Sequence, residues 1–248
     1  MGSLTFSHKV CSLACFTLYV QLVSLLNIAF ASTSSAEADA LLKWKANFQN
    51  QTQNNLTSWT YFPINSTHPK ENGSPCNLWN GISCNPAGSV NKINLINSGI
   101  HGTLHGFSFL SFPNLEYLDL SLNGSIPREI GQLKFLYELA LYIISLEGLI
   151  LASLGNLSNL TSLYLYSNNL SGAIPVSLGN LSNLTLLYLQ ENQLSGYIPP
   201  EMGKLSNLVD LQMESNKLTG LIPPHFGNLK KLTYLYLYSN GLSGSIPP

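Results

Sequence analysis

Few side chains in this 248-residue chain are of a type and spacing that could do chemistry. Glu116, Asp119 and Glu138 come nearest to a paired-carboxylate site, where one group gives a proton and the other takes one. Asp119 and Glu138 do not hold the same place in successive sequence units and nothing is expected to enclose them. They are therefore assigned to a solvated face. His101 and His105 stand four apart, a helical metal-ligand spacing, but they flank a glycine-containing turn and are assigned to solvent. Gly-x-Gly-x-x-Gly and Walker loops are absent, as are the His-Arg-Asp and Asp-Phe-Gly signatures. No catalytic residue, metal ligand or cofactor is expected. Only 9% of residues are charged, the net charge is −1 and Arg128 is the one arginine, which speaks against nucleic acid as a partner.

What remains is recognition chemistry. Tyr142, Tyr164, Tyr166, Tyr188, Tyr236 and Tyr238 recur in register along the chain. Tyrosine offers broad apolar area and a hydroxyl at modest entropic cost, which suits a binding surface. The plainer account is that tyrosine is a good strand former, copied along with its unit. The sequence expectation is an extended peptide lying across Tyr142, Tyr164, Tyr166 and Tyr188. Tyr236 and Tyr238 continue the rows, and Glu191 and Glu214 attract a basic group.

The elements that position these residues are repeats. LSNLTSLYLYSNNLSGAIPVSLGN starts at Leu157, and close copies start at Leu181, Leu205 and Leu229. Each unit is too small to bury its own apolar side and must stack on its neighbour. Leu163 and Leu165 alternate as in a half-buried strand, so the residues between and after them face away from the core. One outward column reads Asp119, Ala140, Tyr164, Tyr188, Gln212, Tyr236, and the next Ser121, Tyr142, Tyr166, Gln190, Glu214, Tyr238. Asn168, Asn192, Asn216 and Asn240 form a ladder whose amides are expected to pair the backbone where the chain leaves the strand. Leu170 and Ile174 add core, Gly172 allows a tight bend and Pro175 stops a helix.

Earlier units are less regular. In residues 90–111 Ile93 and Leu95 hold the strand positions and Ser98 replaces the ladder Asn. Residues 112–132 are short, with three residues missing between Asn123 and Gly124, one of them equivalent to Leu170; Asn123 is read as a buried ladder residue. In residues 133–156 Ile144 replaces the ladder Asn and Leu151 the Pro. Residues 157–180, 181–204 and 205–228 are full units, and 229–248 is partial. An irregularity with weaker stacking is expected around 123–151.

Towards the N-terminus, His8 and Lys9 precede an apolar run from Val10 to Phe30 that closes on Ala29-Phe30-Ala31. This is the pattern of a secretory signal over residues 1–31, cleaved after Ala31, the alternative being an uncleaved anchor. Phe6 stands where myristoylation needs Ser or Thr, and no later segment is apolar enough to span a bilayer. The expectation is an extracellular chain, in the cell wall or apoplast, or at the plasma membrane if it is part of a longer receptor. Cys11 and Cys15 leave with the signal. Cys76 and Cys84 then remain as a pair, most simply one disulfide; a metal site would need further ligands. Residues 32–89 are read as a cap. Ser34-Ser35-Ala36-Glu37 starts a helix as a capping box, Ala38, Leu41, Leu42, Trp44 and Phe48 follow at helical spacing, and Gln49 to Ser74 is irregular surface. Of the many Asn-x-Ser/Thr sequons, Asn55, Asn65, Asn159, Asn169 and Asn183 are the glycosylation candidates, although an Asn/Ser-rich repeat also produces sequons by accident.

Leu-Ser-Gly-x-Ile-Pro recurs at Leu170–Pro175, Leu194–Pro199 and Leu242–Pro247, and Leu218–Pro223 differs by one Thr. The unit resembles the plant-specific class of leucine-rich repeats, and Glu37–Lys45 with Cys76 and Trp79–Cys84 resembles the N-terminal cap of plant receptor-like proteins. The resemblance covers nearly the whole chain after residue 31. It implies an α/β solenoid, a curved right-handed leucine-rich-repeat superhelix with a parallel concave sheet and an N-terminal helical and disulfide cap. It also implies the ectodomain of a receptor-like kinase or receptor-like protein that binds a peptide or protein ligand, with a leucine-rich-repeat co-receptor as a further partner. In longer relatives a cytoplasmic Ser/Thr kinase carries the signal, and this chain reads as a truncated form. The alternatives are a secreted polygalacturonase-inhibitor-like defence protein and a nonfunctional fragment.

Overall fold

The computed structural model describes residues 35–48, 55–60, 75–76, 78–96, 98–100 and 102–247. The signal sequence, Ser34, Asn65 and His101 lie outside the described residues, as does the side chain of Asn55.

Each repeat turns once around a leucine core. Leu157, Leu160, Leu163, Leu165, Leu170 and Leu178 are fully buried, and their counterparts Leu181, Leu184, Leu187, Leu189, Leu194 and Met202 repeat the arrangement one layer on. Burying one such side chain contributes roughly 1.5–3 kcal/mol, and the benefit exists only because the next layer covers it. The middle leucines stack in register, Leu118 beside Leu139, Leu163, Leu187 and Leu211.

Two sheets run along the solenoid. The eight-stranded sheet takes Ile82–Cys84, Val90–Asn94, Tyr117–Asp119, Glu138–Ala140, Ser162–Tyr164, Leu186–Tyr188, Asp210–Gln212 and Tyr234–Tyr236 in order. Its first pair is antiparallel and the others are parallel. A second, six-stranded parallel sheet joins Gly124–Ser125, Leu146–Leu149, Asn169–Ala173, Gln193–Tyr197, Lys217–Leu221 and Gly241–Ser243. The sequence reading did not contain this sheet, because its Ser-Gly residues have little strand propensity and the glycine holds a positive φ, +74° at Gly172. Short 3₁₀ turns such as Val176–Asn180 close each unit. They stack so closely that a Cβ on Gly179 would lie 2.4 Å from the carbonyl oxygen of Glu201, which is why Gly recurs there.

The Asn ladder is built as expected. Asn192 Oδ1 accepts from Leu170 N at 3.0 Å, and its amide donates to the carbonyls of Leu165, Leu189 and Gln190 at 2.9–3.2 Å. Asn216 and Asn240 do the same one and two units further on.

Three expectations change. Asn123 is exposed and is not a ladder residue. Gly124 pairs with Leu146 as Gly148 pairs with Leu170, so Leu122, 1% exposed, fills the Leu170 position. The missing residues therefore fall between Leu120 and Leu122, and the ladder Asn is itself among them. The stretch 49–74 is not all irregular surface either: Asn55–Ser58 forms a 3₁₀ turn, and Leu56 and Trp59 are buried, with Trp59 stacked on Trp79 at 5.4 Å. Thirdly, the carboxylate of Glu37 in helix 35–45 accepts from Ser89 Oγ at 2.5 Å and Val90 N at 2.9 Å, so it ties the cap helix to the sheet. Burial raises its pKa, against the effect of these two bonds.

Around residues 123–151 the irregularity is local. Ile143 takes the left-handed turn that Ser167, Glu191, Ser215 and Ser239 take in their units, but here Ser145 is left-handed as well. Leu151 keeps the extended backbone of the prolines it replaces (φ −85°, ψ 146°, against −69° and 135° at Pro175), and both sheets continue through the unit.

Candidate recognition face

Period-two alternation places the residues on both sides of each middle leucine on the same open face of the eight-stranded sheet. There are therefore three outward columns. The two read from sequence are joined by a third, which runs Lys92, Tyr117, Glu138, Ser162, Leu186, Asp210, Tyr234 in register. The sequence reading missed it by counting outward residues only after the middle leucine; the alternation that placed Asp119 outward places Tyr117 there too.

Four of the six candidate tyrosines come together. Tyr142 and Tyr166 stack face to face at 4.7 Å and 9°, and Tyr164 meets Tyr188 edge-on at 5.2 Å. Tyr142–Tyr164 and Tyr166–Tyr188 contacts at 6.5 and 6.3 Å close the quartet. Beside them Ala140 leaves a gap in the central column. The result is a hollow of about 400 Å³ lined by the quartet, Tyr117, Asp119, Glu138, Ala140 and Gln190. Tyr236 and Tyr238 lie outside it and are exposed.

Asp119 and Glu138 are not the freely solvated pair expected from sequence. Asp119 is 5% exposed, because Tyr117 on its own strand covers it and donates its hydroxyl to Oδ2 at 3.1 Å. Burial raises the pKa of Asp119, opposed by the Tyr117 bond and by Lys92. Burial raises Glu138 as well, and the Asp119 charge adds to it. The Lys92 ammonium lies 4.0 Å from the centre of the Tyr117 ring, a cation–π contact. Burial also pushes up the hydroxyls of Tyr117 and Tyr188; the Tyr188 hydroxyl donates to Asp210 Oδ2 at 2.7 Å.

Glu191 and Glu214 stand apart from the hollow. Glu191 sits at a left-handed turn and accepts from Ser167 Oγ. Glu214 is 9% exposed with Oε2 unpaired among the described residues, and burial raises its pKa, with Glu191 and Asp210 adding to the shift. Among the sequon residues, Asn159, Asn169 and Asn183 are exposed. The amides of Asn159 and Asn183 donate to the carbonyls of Lys134 and Ser158 at 2.8 and 2.9 Å. Cys76 and Cys84 are disulfide-bonded. Among the described residues no cluster of three or more metal-ligating side chains occurs, and no helix is long and apolar enough to cross a membrane.

Comparison with known proteins agrees with this architecture. The profile of the leucine rich repeat N-terminal domain matches residues 34–85, and that of the leucine rich repeat matches 159–181, 183–205, 207–229 and 231–248. A probable leucine-rich repeat receptor-like protein kinase of Arabidopsis thaliana is 44% identical over 119 residues, 47% of this chain and 10% of that protein. The chain thus spans about a tenth of the length of the curated relatives it matches. Among solved structures, the PEPR1–AtPEP1 complex aligns with a TM-score of 0.76 at 32% identity, covering 86% of this chain and 29% of that one. The Arabidopsis receptor kinase HAESA, in complex with the peptide hormone IDA and the co-receptor SERK1, gives 0.74 at 32% identity, covering 86% and 35%. Pollen Receptor Kinase 3 gives 0.61 at 30%, covering 78% of this chain and 93% of that one.

Proposed function

As the chain belongs to the leucine-rich-repeat receptor-like proteins of plants, we propose that it is an extracellular recognition module whose tyrosine-lined face holds a peptide or protein partner. The observation that carries this reading is the quartet Tyr142, Tyr164, Tyr166 and Tyr188 gathered around one hollow. The quartet spans three adjacent strands, roughly 10 Å at 4.8 Å per strand, or about three residues of extended chain. A peptide crossing the strands can rest its apolar groups on the rings and its backbone on the hydroxyls. HAESA is a structural relative solved with a peptide hormone and a co-receptor, which supports the same class of partner here. The curated relatives are receptor-like kinases by name and are matched over about a tenth of their length; no kinase motif lies within this sequence.

The test is calorimetric binding of the purified chain to a panel of secreted plant peptides. Truncating Tyr164 and Tyr166 together to Ala should weaken a binding peptide by more than about tenfold, which corresponds to 1.4 kcal/mol. Unchanged affinity would remove these rings from the contact.

A further inference from the structure

The hollow over Ala140 has a chemistry of its own. Asp119 and Glu138 sit diagonally on neighbouring strands, Asp119 in register with Ala140 and Glu138 with Tyr117, and supply several acceptor positions, some of them met by the Tyr117 hydroxyl that lies between them. Gln190 points its amide at Gln212 Oε1, 3.0 Å away, and its own Oε1 has no donor among the described residues. The Tyr188 hydroxyl hydrogen is already directed to Asp210. The lining therefore offers acceptors, negative charge and aromatic faces, while some of its donors are already used. An apolar occupant would take water from two carboxylates that share the Tyr117 hydroxyl and the charge of a single cation, Lys92, and an anionic one would add repulsion. Lys92 shows the complementary group one strand away, with its ammonium over the Tyr117 ring.

We infer that this hollow seats a cationic side chain of the bound peptide, an arginine guanidinium in preference to a lysine ammonium. The inference rests on the recognition reading above and names the group recognised. A guanidinium is planar, lies flat on a tyrosine ring, and its fork can reach carboxylates on two adjacent strands at once; an ammonium is a single point charge. Ala140 decides the fit: any larger residue in that column would occupy the space, as Tyr164 and Tyr188 do one and two strands on.

The probes are the blocked tripeptide Gly-Arg-Gly and its isosteric, uncharged citrulline analogue. Both are titrated into the whole chain carrying ring-labelled tyrosine and followed by NMR, with circular dichroism to check each variant's fold. The arginine probe should shift the quartet's ring signals saturably and bind about tenfold more tightly than citrulline. Glu138→Gln should remove most of that difference, and Ala140→Phe should abolish binding by filling the space. Equal binding of the two probes would overturn the seat, as would arginine binding that survives Ala140→Phe. If the probes bind alike while a panel peptide still depends on Tyr164 and Tyr166, only the cation seat is wrong. If neither probe nor any panel peptide binds, the recognition reading falls with it.

Discussion

Replacing Asn168 by Ala should cost more stability than replacing Asn192, although Asn192 is the more deeply buried of the two. The reason lies in shared acceptors. In the Asn192 variant the Leu165 carbonyl keeps its bond from Asn168, the Leu189 carbonyl keeps Asn216, and the Gln190 carbonyl keeps the Ser167 amide. Only the Leu170 N–H loses its ladder acceptor, and one orphaned buried amide costs about 1–3 kcal/mol. Asn168 has no such cover, because Ile144 stands where the preceding amide should be. Its Oδ1 accepts from both Ile144 and Leu146, and its amide is the described donor to the Leu141 carbonyl. Three groups lose a partner together, which at the same cost per group is a loss of about 3–9 kcal/mol. Urea unfolding followed by far-UV circular dichroism reads the repeats, while tryptophan fluorescence reads Trp44, Trp59 and Trp79, all in the cap. The dichroism transition should move further for Asn168→Ala than for Asn192→Ala. An equal or reversed order would refute the argument from shared acceptors.

Three further outcomes can be checked. Converting Cys76 and Cys84 to Ser removes a cross-link between residues eight apart and should cost the cap about 2–3 kcal/mol, seen as an earlier tryptophan transition. Buried Glu37, Asp119 and Glu214 and half-buried Glu138 all have raised pKa values, so while they titrate the folded chain holds more protons than the unfolded one. Their effect on stability should be most favourable at the acid end and decline as pH rises above the ordinary carboxylate range, with a shallower decline in Glu138→Gln; a rise there would contradict it. Amides of Ile143–Leu149, next to the doubled left-handed turn, should exchange faster than those of Ser167–Ala173, and equal protection would mean that the defect is fully accommodated.

The solenoid was legible in the sequence because its cause is periodic: leucines in register announce a shared core, and the recurring Asn announces the turn that needs an amide. The second sheet was not legible, since a glycine with positive φ reads as a bend until neighbouring units pair around it. The shortened unit misled for a related reason. Asn123 resembles a ladder residue in one dimension, and only the pairing of Gly124 with Leu146 shows that Leu122 has taken the core position. Within the face, the tyrosines were visible as outward columns, whereas the hollow depends on an absence, the small side chain of Ala140 between larger neighbours. The shielding of Asp119 depends on Tyr117 one column away. Neither can be read along a single column.

Hydrogen–deuterium exchange of the chain, free and saturated with a peptide captured from the panel, tests the recognition face most directly. Slowed exchange confined to Glu138–Ala140, Ser162–Tyr164 and Leu186–Tyr188 and the turns that follow them is the predicted footprint. Protection appearing instead on the 3₁₀ turns Ala152–Asn156 and Val176–Asn180, with the tyrosine strands unchanged, would contradict it.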